Sequence, residues 1–172
     1  DYSNDYRLQA LFNQIPPTGG DLLDIGSGNG EIAQILKGSF NTFTLGDISE
    51  FLRGHLKQKF VGRSDVSVVP LDAENFSLPG KLFDIITMTD VIEHVMHDAV
   101  ALRNAYRTLK PGGTLFLSVP AYPFLYGLRD KQIGHYRRYR RKELHKKLQD
   151  AGFVVRQVYC WNRIGIIPYF VS

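Results

Sequence analysis

Three glycines alternate with other residues in the segment Asp24-Ile25-Gly26-Ser27-Gly28-Asn29-Gly30-Glu31. An apolar strand pattern precedes this segment and a helical pattern follows it. Glycine adopts positive φ angles at low cost and lets the backbone approach a ligand closely. The segment therefore predicts a ligand-binding turn between a strand and a helix, while a purely structural turn is the open alternative.

Glu31 argues against a dinucleotide as the ligand of this turn. The dinucleotide fingerprint G-x-G-x-x-G/A requires Gly or Ala where Glu31 stands. A glutamate at the start of a helix also repels a pyrophosphate, which a helix N-terminus would otherwise attract. An NAD-dependent dehydrogenase is therefore disfavoured, and a ligand without bridging phosphates is favoured.

Acidic residues follow the next two predicted strands. Asp47 lies 17 residues after Gly30, where a carboxylate can accept hydrogen bonds from both hydroxyls of a ribose, each contributing roughly 1.5–3 kcal/mol. Ser49 is the better N-cap for the following helix, so we predict that Asp47 binds ribose. Asp72, with Ala73 beside it, either accepts a hydrogen bond from an adenine amino group or forms a turn.

Two histidine-containing groups are candidates for proton transfer or metal binding. His135 follows the fifth predicted strand, and a histidine can act as a general base near neutral pH; a structural histidine is the alternative. Asp90, Glu93 and His94 are predicted to share one face of a helical turn. Such ligands can hold a divalent metal, yet the pattern is common without one, and we expect no metal.

Positive charge is concentrated in residues 129–147, which hold nine lysines and arginines against two acids in a chain of net charge +4. Such a patch attracts phosphates, nucleic acid or an anionic membrane, or is only a solvated helix face. Arginine binds phosphate and carboxylate groups in two-point fashion. We predict an anionic-substrate site from Tyr122, Arg137 and Arg138, with Tyr126, Arg140 and Arg141 nearby. The chain has no recognised nucleic-acid module.

The elements that position these residues alternate along the chain. Its 172 residues, 44% of them apolar, suit one domain. The predicted strands span 22–26, 41–47, 66–72, 82–88, 113–120 and 153–161. The predicted helices span 5–15, the region around the inward Ile32, Ile35 and Leu36, 49–60, 97–109 and the region 144–151. In 49–60 we place Phe51, Leu52, His55 and Leu56 on one side. This order predicts an α/β fold, a doubly wound, mostly parallel sheet in a three-layer αβα sandwich, with ligands at the carboxyl ends of the strands.

The motifs LLDIGSGNGEIA, LGDIS, LDAENFSLP, FDIITMTDVIEHV and LKPGGTLFLSVP occur in this order. Together they resemble class I S-adenosylmethionine-dependent methyltransferases over about residues 20–155, and DVIEHV is similar to the ubiquinone-biosynthesis O-methyltransferase branch. The resemblance implies a Rossmann-like fold and S-adenosyl-L-methionine as cofactor. The methyl acceptor it implies is a small or lipid-linked molecule, which the basic patch suggests is anionic.

The resemblance also implies a role for individual residues. Asp24 and the glycine loop, including Ser27, would bind the methionine part of the cofactor. Asp47 and Ile48 would contact the ribose and one adenine face, and Asp72 and Ala73 the adenine edge. Thr89 would line the site near the sulfonium. Tyr6 and Arg7 would close over the cofactor carboxylate or, the favoured alternative, are ordinary surface residues.

The end of the chain departs from the family pattern. The family usually has a seventh, antiparallel strand, but only 11 residues follow Trp161, and we interpret them as the start of a helix. We therefore expect the seventh strand to be missing and the sheet edge to be exposed. The start at Asp1 and the apolar end lead us to expect a longer gene product.

Cysteine usage and hydropathy complete the expectations. Cys160 is the only cysteine, which fits a reducing, cytoplasmic setting. No apolar run reaches the roughly 18 residues of a membrane span, although the basic patch allows peripheral contact. We expect a cytoplasmic methyltransferase, with a non-catalytic binding module that uses the basic patch as the rival hypothesis. The oligomeric state is left open.

Overall fold

The computed structural model describes residues 12–158 and the backbone of residues 166–171. Seven strands form one sheet in the order β3-β2-β1-β4-β5-β7-β6. Strands β1 to β5 pair in parallel, whereas β7 is antiparallel to both of its neighbours. The strands are β1 Asp21–Ile25, β2 Thr42–Asp47, β3 Val66–Pro70, β4 Phe83–Thr89, β5 Leu109–Pro120, β6 Val155–Val158 and β7 Ile166–Val171.

Helices cover both faces of the sheet. They are α1 Glu31–Ile35, α2 Glu50–Lys59, α3 Asp98–Thr108, α4 Leu128–Gln132 and α5 Arg141–Asp150, with 3-10 turns at Ile92–His94 and Pro123–Leu125. Successive strand residues point to opposite faces, so Leu22 belongs to a core with α1 and α2. Its neighbour Leu23 belongs to a core with α3 and α5. The predicted doubly wound α/β sandwich is confirmed.

Strand order reverses between β1 and β4. Strands β2 and β3 lie on one side of β1, whereas β4 and β5 lie on its other side. Ligands in open α/β sheets bind in the crevice at such a reversal, beyond the carboxyl ends of the strands. None of the helices that the structure describes has the length and apolar content to cross a bilayer.

The prediction of a missing seventh strand is wrong. Strand β7 pairs with β5 from Leu115 opposite Val171 to Pro120 opposite Ile166, so the edge of β5 is covered and β6 is the outer strand. A strand of six residues fits within the 11 that follow Trp161, and its isoleucine, tyrosine, phenylalanine and valine residues favour β structure. Cys160 and Trp161, predicted to end strand six, lie outside the described residues.

Two apolar residues predicted to face the core are exposed instead. Ile35, the last residue of α1, is 40% exposed, whereas Ile32 and Leu36 are buried. In α2 the buried side is centred on Leu56 and continues to Phe60 just beyond the helix. Phe51, in the first turn, points away from it, so the helix is packed over a narrower face than the pattern indicates.

Gly30 gives a test of the turn that begins α1. Its φ is +72°, and an added Cβ would lie 2.6 Å from Cε2 of Phe60 and 2.8 Å from Cδ2 of Leu56. We expect Gly30→Ala to lower the free energy of unfolding by about 2–4 kcal/mol, through the left-handed backbone and the overpacked contact. The matched control is Gly54→Ala. Gly54 lies on the exposed side of α2 with open space around it, so this variant should raise the free energy of unfolding by about 0.5–1 kcal/mol. Urea unfolding of both variants measures the contrast, and equal effects would contradict this account.

Candidate cofactor and acceptor site

A cavity of about 300 Å³ lies at the carboxyl ends of β1 and β4. Five residues predicted to bind cofactor line it, namely Asp24, Gly26, Ser27, Gly28 and Thr89. The cavity therefore lies at the crevice that the strand order creates, and it brings together the glycine loop and the end of β4.

The backbone of the glycine loop is exposed to this cavity. The amides of Gly26 and Ser27 donate to the carbonyl of Gly46 at 2.8 and 3.1 Å, which fixes the loop to the end of β2. Gly28 has a φ of +50°, and an added Cβ would meet nothing within 4 Å. The space beside Gly28 is thus open, as a loop that lies against a ligand requires.

The Asp47 carboxylate joins the loops that follow β1 and β2. Its Oδ2 accepts from the Gly28 amide at 3.0 Å, and its Oδ1 accepts from the Ser49 amide at 2.8 Å. Each carboxylate oxygen has a second lone-pair direction, so both oxygens can still accept from a ligand hydroxyl. Ser49 accepts from the Leu52 amide at 3.3 Å, which confirms Ser49 as the N-cap of α2.

Asp24 is a buried carboxyl at the floor of the cavity. Its burial raises its pKa to about 7, against the opposing effect of hydrogen bonds from Thr87 and Ser27; the charges of Asp47 and Glu31 raise it further. Thr87 Oγ1 donates to Asp24 Oδ1 at 2.8 Å. Two acidic side chains, Asp24 and Glu31, thus line the cavity, and Asp47 lies behind it on the Gly28 amide, so a positively charged ligand would be favoured there.

The residues predicted to contact adenine lie at the neighbouring strand ends. Ile48 follows Asp47 and its side chain is exposed. Asp72 Oδ1 accepts from the Glu74 amide at 2.9 Å, which is the turn-forming alternative. Ala73 is buried. Five residues predicted to bind cofactor do not belong to the described lining of the 300 Å³ cavity, namely Gly30, Asp47, Ile48, Asp72 and Ala73.

Several lining residues escaped the sequence analysis: Phe12, Asn29, Glu31, Ile32 and Leu52. Glu31 was considered only for its repulsion of pyrophosphate, although the same charge suits a cationic ligand. Leu52 lies on α2, outside the loops at the strand ends where ligands of such sheets are expected to bind. Tyr6 and Arg7, predicted either to contact the cofactor carboxylate or to be surface residues, lie outside the described residues.

A second cluster lies beyond β4, where His135 meets two residues of the 92–94 turn. The donor atoms of Glu93, His94 and His135 all lie within 4.8 Å of one another. His135 Nδ1 is 3.1 Å from Asp130 Oδ1, and its Nε2 is 3.9 Å from Glu93 Oε1. The rings of His94 and His135 meet edge to face with centroids 4.5 Å apart. The structure therefore gives His135 a side-chain environment of acids and imidazole.

Glu93 is fully buried, and neither carboxyl oxygen has a hydrogen-bond partner among the described residues. Burial, with a smaller contribution from the charge of Asp90, raises the pKa of Glu93 to about 9. Glu93 therefore carries a proton at neutral pH. Burial also lowers the pKa of His94, and His135 adds to this effect.

Asp90 is separated from the other two members of its predicted group. It precedes the 3-10 turn with a φ of +53°, and its Oδ1 accepts from Ser118 Oγ at 3.0 Å. His135 takes its place beside Glu93 and His94. Two imidazoles and a carboxylate are donors that divalent transition metals bind, so the expected absence of a metal stays a prediction.

The arginines predicted to bind substrate are engaged with the protein. Arg137 lies 3.2 Å from Asp98 and donates to the carbonyls of Val95 and Met96. Arg138 Nε donates to Asp130 Oδ1 at 2.7 Å. A substrate anion at either guanidinium would share that group with a carboxylate of the protein. Both side chains instead stabilise the loops around His135.

Tyr122 lies elsewhere, at a cavity of about 490 Å³ beyond β5 and β6. The backbone of Tyr122 has a φ of +62°, an uncommon conformation for a residue with a side chain. Arg140 and Arg141 line this cavity with Tyr122, whereas Arg137 and Arg138 do not, although Arg138 Nη1 donates to the carbonyl of the adjacent Ala121 at 3.4 Å. The lining consists of Tyr122, Pro123, Phe124, Tyr139, Arg140, Arg141 and Val158.

Known proteins resemble this chain in sequence. A family of methyltransferase domains matches residues 2–158. The ubiquinone biosynthesis O-methyltransferase of Coxiella burnetii is 31% identical over 119 residues, which cover 67% of this chain and 50% of that protein. The chain thus spans about half the length of the curated relatives it matches.

Solved structures share the fold. An S-adenosylmethionine-dependent methyltransferase from Mesorhizobium loti superposes with a TM-score of 0.83 at 17% identity and 99% coverage of both chains. The N-methyltransferase NodS of Bradyrhizobium japonicum, in complex with S-adenosyl-L-homocysteine, gives a TM-score of 0.79 at 18% identity, covering 99% of this chain and 86% of that one. With the match of the methyltransferase-domain family to nearly the whole chain, we conclude that this chain belongs to that family, with the fold of S-adenosylmethionine-dependent methyltransferases.

Proposed function

We propose that the 300 Å³ cavity binds S-adenosyl-L-methionine and that the protein transfers its methyl group to a hydroxyl or amine of a small or lipid-linked acceptor. The observation that carries this proposal is the Asp47 carboxylate, which lies next to the open Gly28 backbone and has lone pairs left for ribose hydroxyls. The acidic side chains of Asp24 and Glu31 suit the ammonium and sulfonium charges of this cofactor. The lone cysteine of the sequence supports action in the cytoplasm.

When bound, the cofactor supplies an electrophilic methyl group, so the chain must mainly orient the acceptor. Correct orientation lowers a reaction barrier by roughly 7–11 kcal/mol. Ribose contacts at Asp47 and backbone contacts along Gly26 to Gly28 would fix the donor. The end of β4 at Thr89 would border the reacting region.

His135 would remove the acceptor proton. Although burial opposes the charge of Asp130, hydrogen bonds from Arg138, the Gly127 amide and His135 lower its pKa to about 2. An ionised carboxylate only accepts, so His135 Nδ1 must carry the hydrogen at the 3.1 Å contact. His135 Nε2 is then left with a lone pair that can take a proton. Asp130 is thus a positioning residue for the base.

The acceptor would enter from the side of Tyr122. The 490 Å³ cavity combines aromatic walls with Arg140 and Arg141, which favours a molecule with an apolar body and a negative group. In the alternative proposal, the protein is a non-catalytic module that uses the basic residues 129–147 for an anionic partner. Absence of S-adenosylmethionine binding in calorimetry with the full-length protein would support that alternative.

Asp47 provides the test of cofactor binding. We expect Asp47→Ala to weaken the binding of S-adenosyl-L-homocysteine at least tenfold, about 1.4 kcal/mol, because the ribose hydroxyls lose their acceptor. The control variant Glu50→Ala removes an exposed carboxylate from the first residue of α2, three positions after Asp47, and should bind normally. Isothermal titration calorimetry measures both variants. Unchanged affinity in Asp47→Ala would remove the ribose assignment, and stabilisation by NADH alone would favour a dehydrogenase.

His135 provides the test of proton transfer. We expect His135→Gln to lower the rate of methyl transfer about 10²- to 10⁴-fold, the usual contribution of a general base, with unchanged affinity for S-adenosyl-L-homocysteine. The control is His55→Gln, on exposed α2. Transfer of labelled methyl from S-adenosylmethionine into bacterial lipid and small-molecule extracts gives the rates. An undiminished rate in His135→Gln would exclude the base.

Glu93 provides a test through pH. Its folded pKa of about 9 exceeds the ordinary value, so the folded state binds more protons than the unfolded state between pH 5 and 9 and loses stability as the pH rises. Relative to the natural protein, Glu93→Gln should gain about 1 kcal/mol of stability per pH unit over this range. Urea unfolding with a chelator present measures the difference. Glu143→Gln, on exposed α5, should run parallel to the natural protein, and a parallel Glu93→Gln curve would show that Glu93 is ionised.

A further inference from the structure

Five large apolar side chains are exposed on the segment between β5 and α5, and four of them are at least half exposed. Phe124 is 79% exposed, Leu128 78%, Tyr136 53% and Ile133 50%. We name these four, with Arg129 and Lys131, the 124–136 face. Monomeric proteins seldom expose large apolar patches unless they bind something. Four such side chains within 13 residues of the sequence therefore indicate a binding surface.

This segment is well anchored, so this exposure is a built feature. Tyr126 Oη donates to the carbonyl of His135 at 2.7 Å, and the Gly127 amide donates to Asp130 Oδ2 at 2.9 Å. The Tyr136 amide donates to the carbonyl of Glu93 at 2.7 Å. These bonds hold the backbone in place while the apolar side chains point to water.

The charge of the 124–136 face is positive throughout. Between Asp98 and Glu143 the sequence has one acid, Asp130, and that residue is buried against Arg138 and His135. Arg129 and Lys131 flank it in α4 with exposed side chains. The exposed charge of this segment is therefore cationic, and no acidic side chain there balances it.

We propose that the 124–136 face binds the surface of an anionic lipid bilayer, with Phe124 and Leu128 inserted among the acyl chains and Arg129 and Lys131 at the headgroups. Apolar and aromatic residues beside Lys and Arg are the composition of segments that lie in the membrane interface. Each basic residue near an anionic surface adds about 1 kcal/mol of attraction. A protein partner is disfavoured because the centres of protein interfaces are depleted in lysine.

The geometry also relates the bilayer to the proposed acceptor site. Phe124 belongs both to this face and to the lining of the 490 Å³ cavity, and Tyr136 is the neighbour of His135. A lipid-linked acceptor could pass from the bilayer to the cavity without crossing water. The binding itself does not depend on methyl transfer, and its test needs no substrate.

Co-sedimentation of the full chain with vesicles tests the proposal. We expect binding to vesicles of equal parts phosphatidylglycerol and phosphatidylcholine, and much weaker binding to phosphatidylcholine alone. Phe124→Ser with Leu128→Ser should weaken binding at least tenfold. The matched control is Phe51→Ser with Val61→Ser, two side chains that are 83% and 81% exposed elsewhere, and it should bind like the natural protein. Arg129→Gln with Lys131→Gln should weaken binding only to the anionic vesicles.

A second readout makes the test independent of loss of folding. The variant Phe124→Trp should give a blue-shifted emission component when anionic vesicles are added, because the indole leaves water. Absence of vesicle binding, equal loss in the control pair, or no blue shift would overturn the proposal. A natural protein that self-associates through this face, becomes monomeric in the Phe124 and Leu128 pair, and ignores vesicles would assign the face to a second copy of the chain instead.

Discussion

One carboxylate connects the parts of this site. Asp47 accepts one hydrogen bond from the loop after β1 and another from the loop after its own strand, so two neighbouring strand ends are fixed relative to each other. Both amides belong to residues with little or no side chain to interfere. The proposed nucleoside pocket therefore depends on two hydrogen bonds within the protein itself, which preorganise its backbone for binding.

The ionisable groups divide into two kinds according to their hydrogen bonds. Asp130 is buried but accepts from a guanidinium, a backbone amide and an imidazole, and these donors keep it charged. Glu93 is equally buried, but its carboxyl oxygens have no hydrogen-bond partner among the described residues, and burial, with a smaller contribution from the charge of Asp90, raises its pKa. The two acids lie on opposite sides of the His135 ring, so the same histidine faces a fixed negative charge at Nδ1 and a neutral carboxyl at Nε2.

Patterns in the sequence were sufficient to predict strands β1 to β5 and the glycine loop after β1, because parallel buried strands and glycine turns are local patterns. It was insufficient for β7, whose position between β5 and β6 depends on pairing with residues about 50 positions earlier. The partners of Arg137 and Arg138 were missed for the same reason, since Asp98 and Asp130 are not near neighbours of these arginines in a shared helix. The cavity residues Phe12 and Leu52 required knowledge of how helices cover the strand ends. The metal expectation and the roles of Asp72 and Ala73 at adenine stay predictions.

The place of β7 has a consequence for the order in which the sheet is completed. In the described sheet β6 pairs only with β7, although β6 comes first along the chain. During synthesis, the backbone amides and carbonyls on the β7 side of β5 have no strand partner until residues 166–171 leave the ribosome. Such delayed, non-local pairing slows folding and leaves a strand edge open to wrong partners. The edge of β5 is therefore the part of this sheet most open to mispairing until β7 is added.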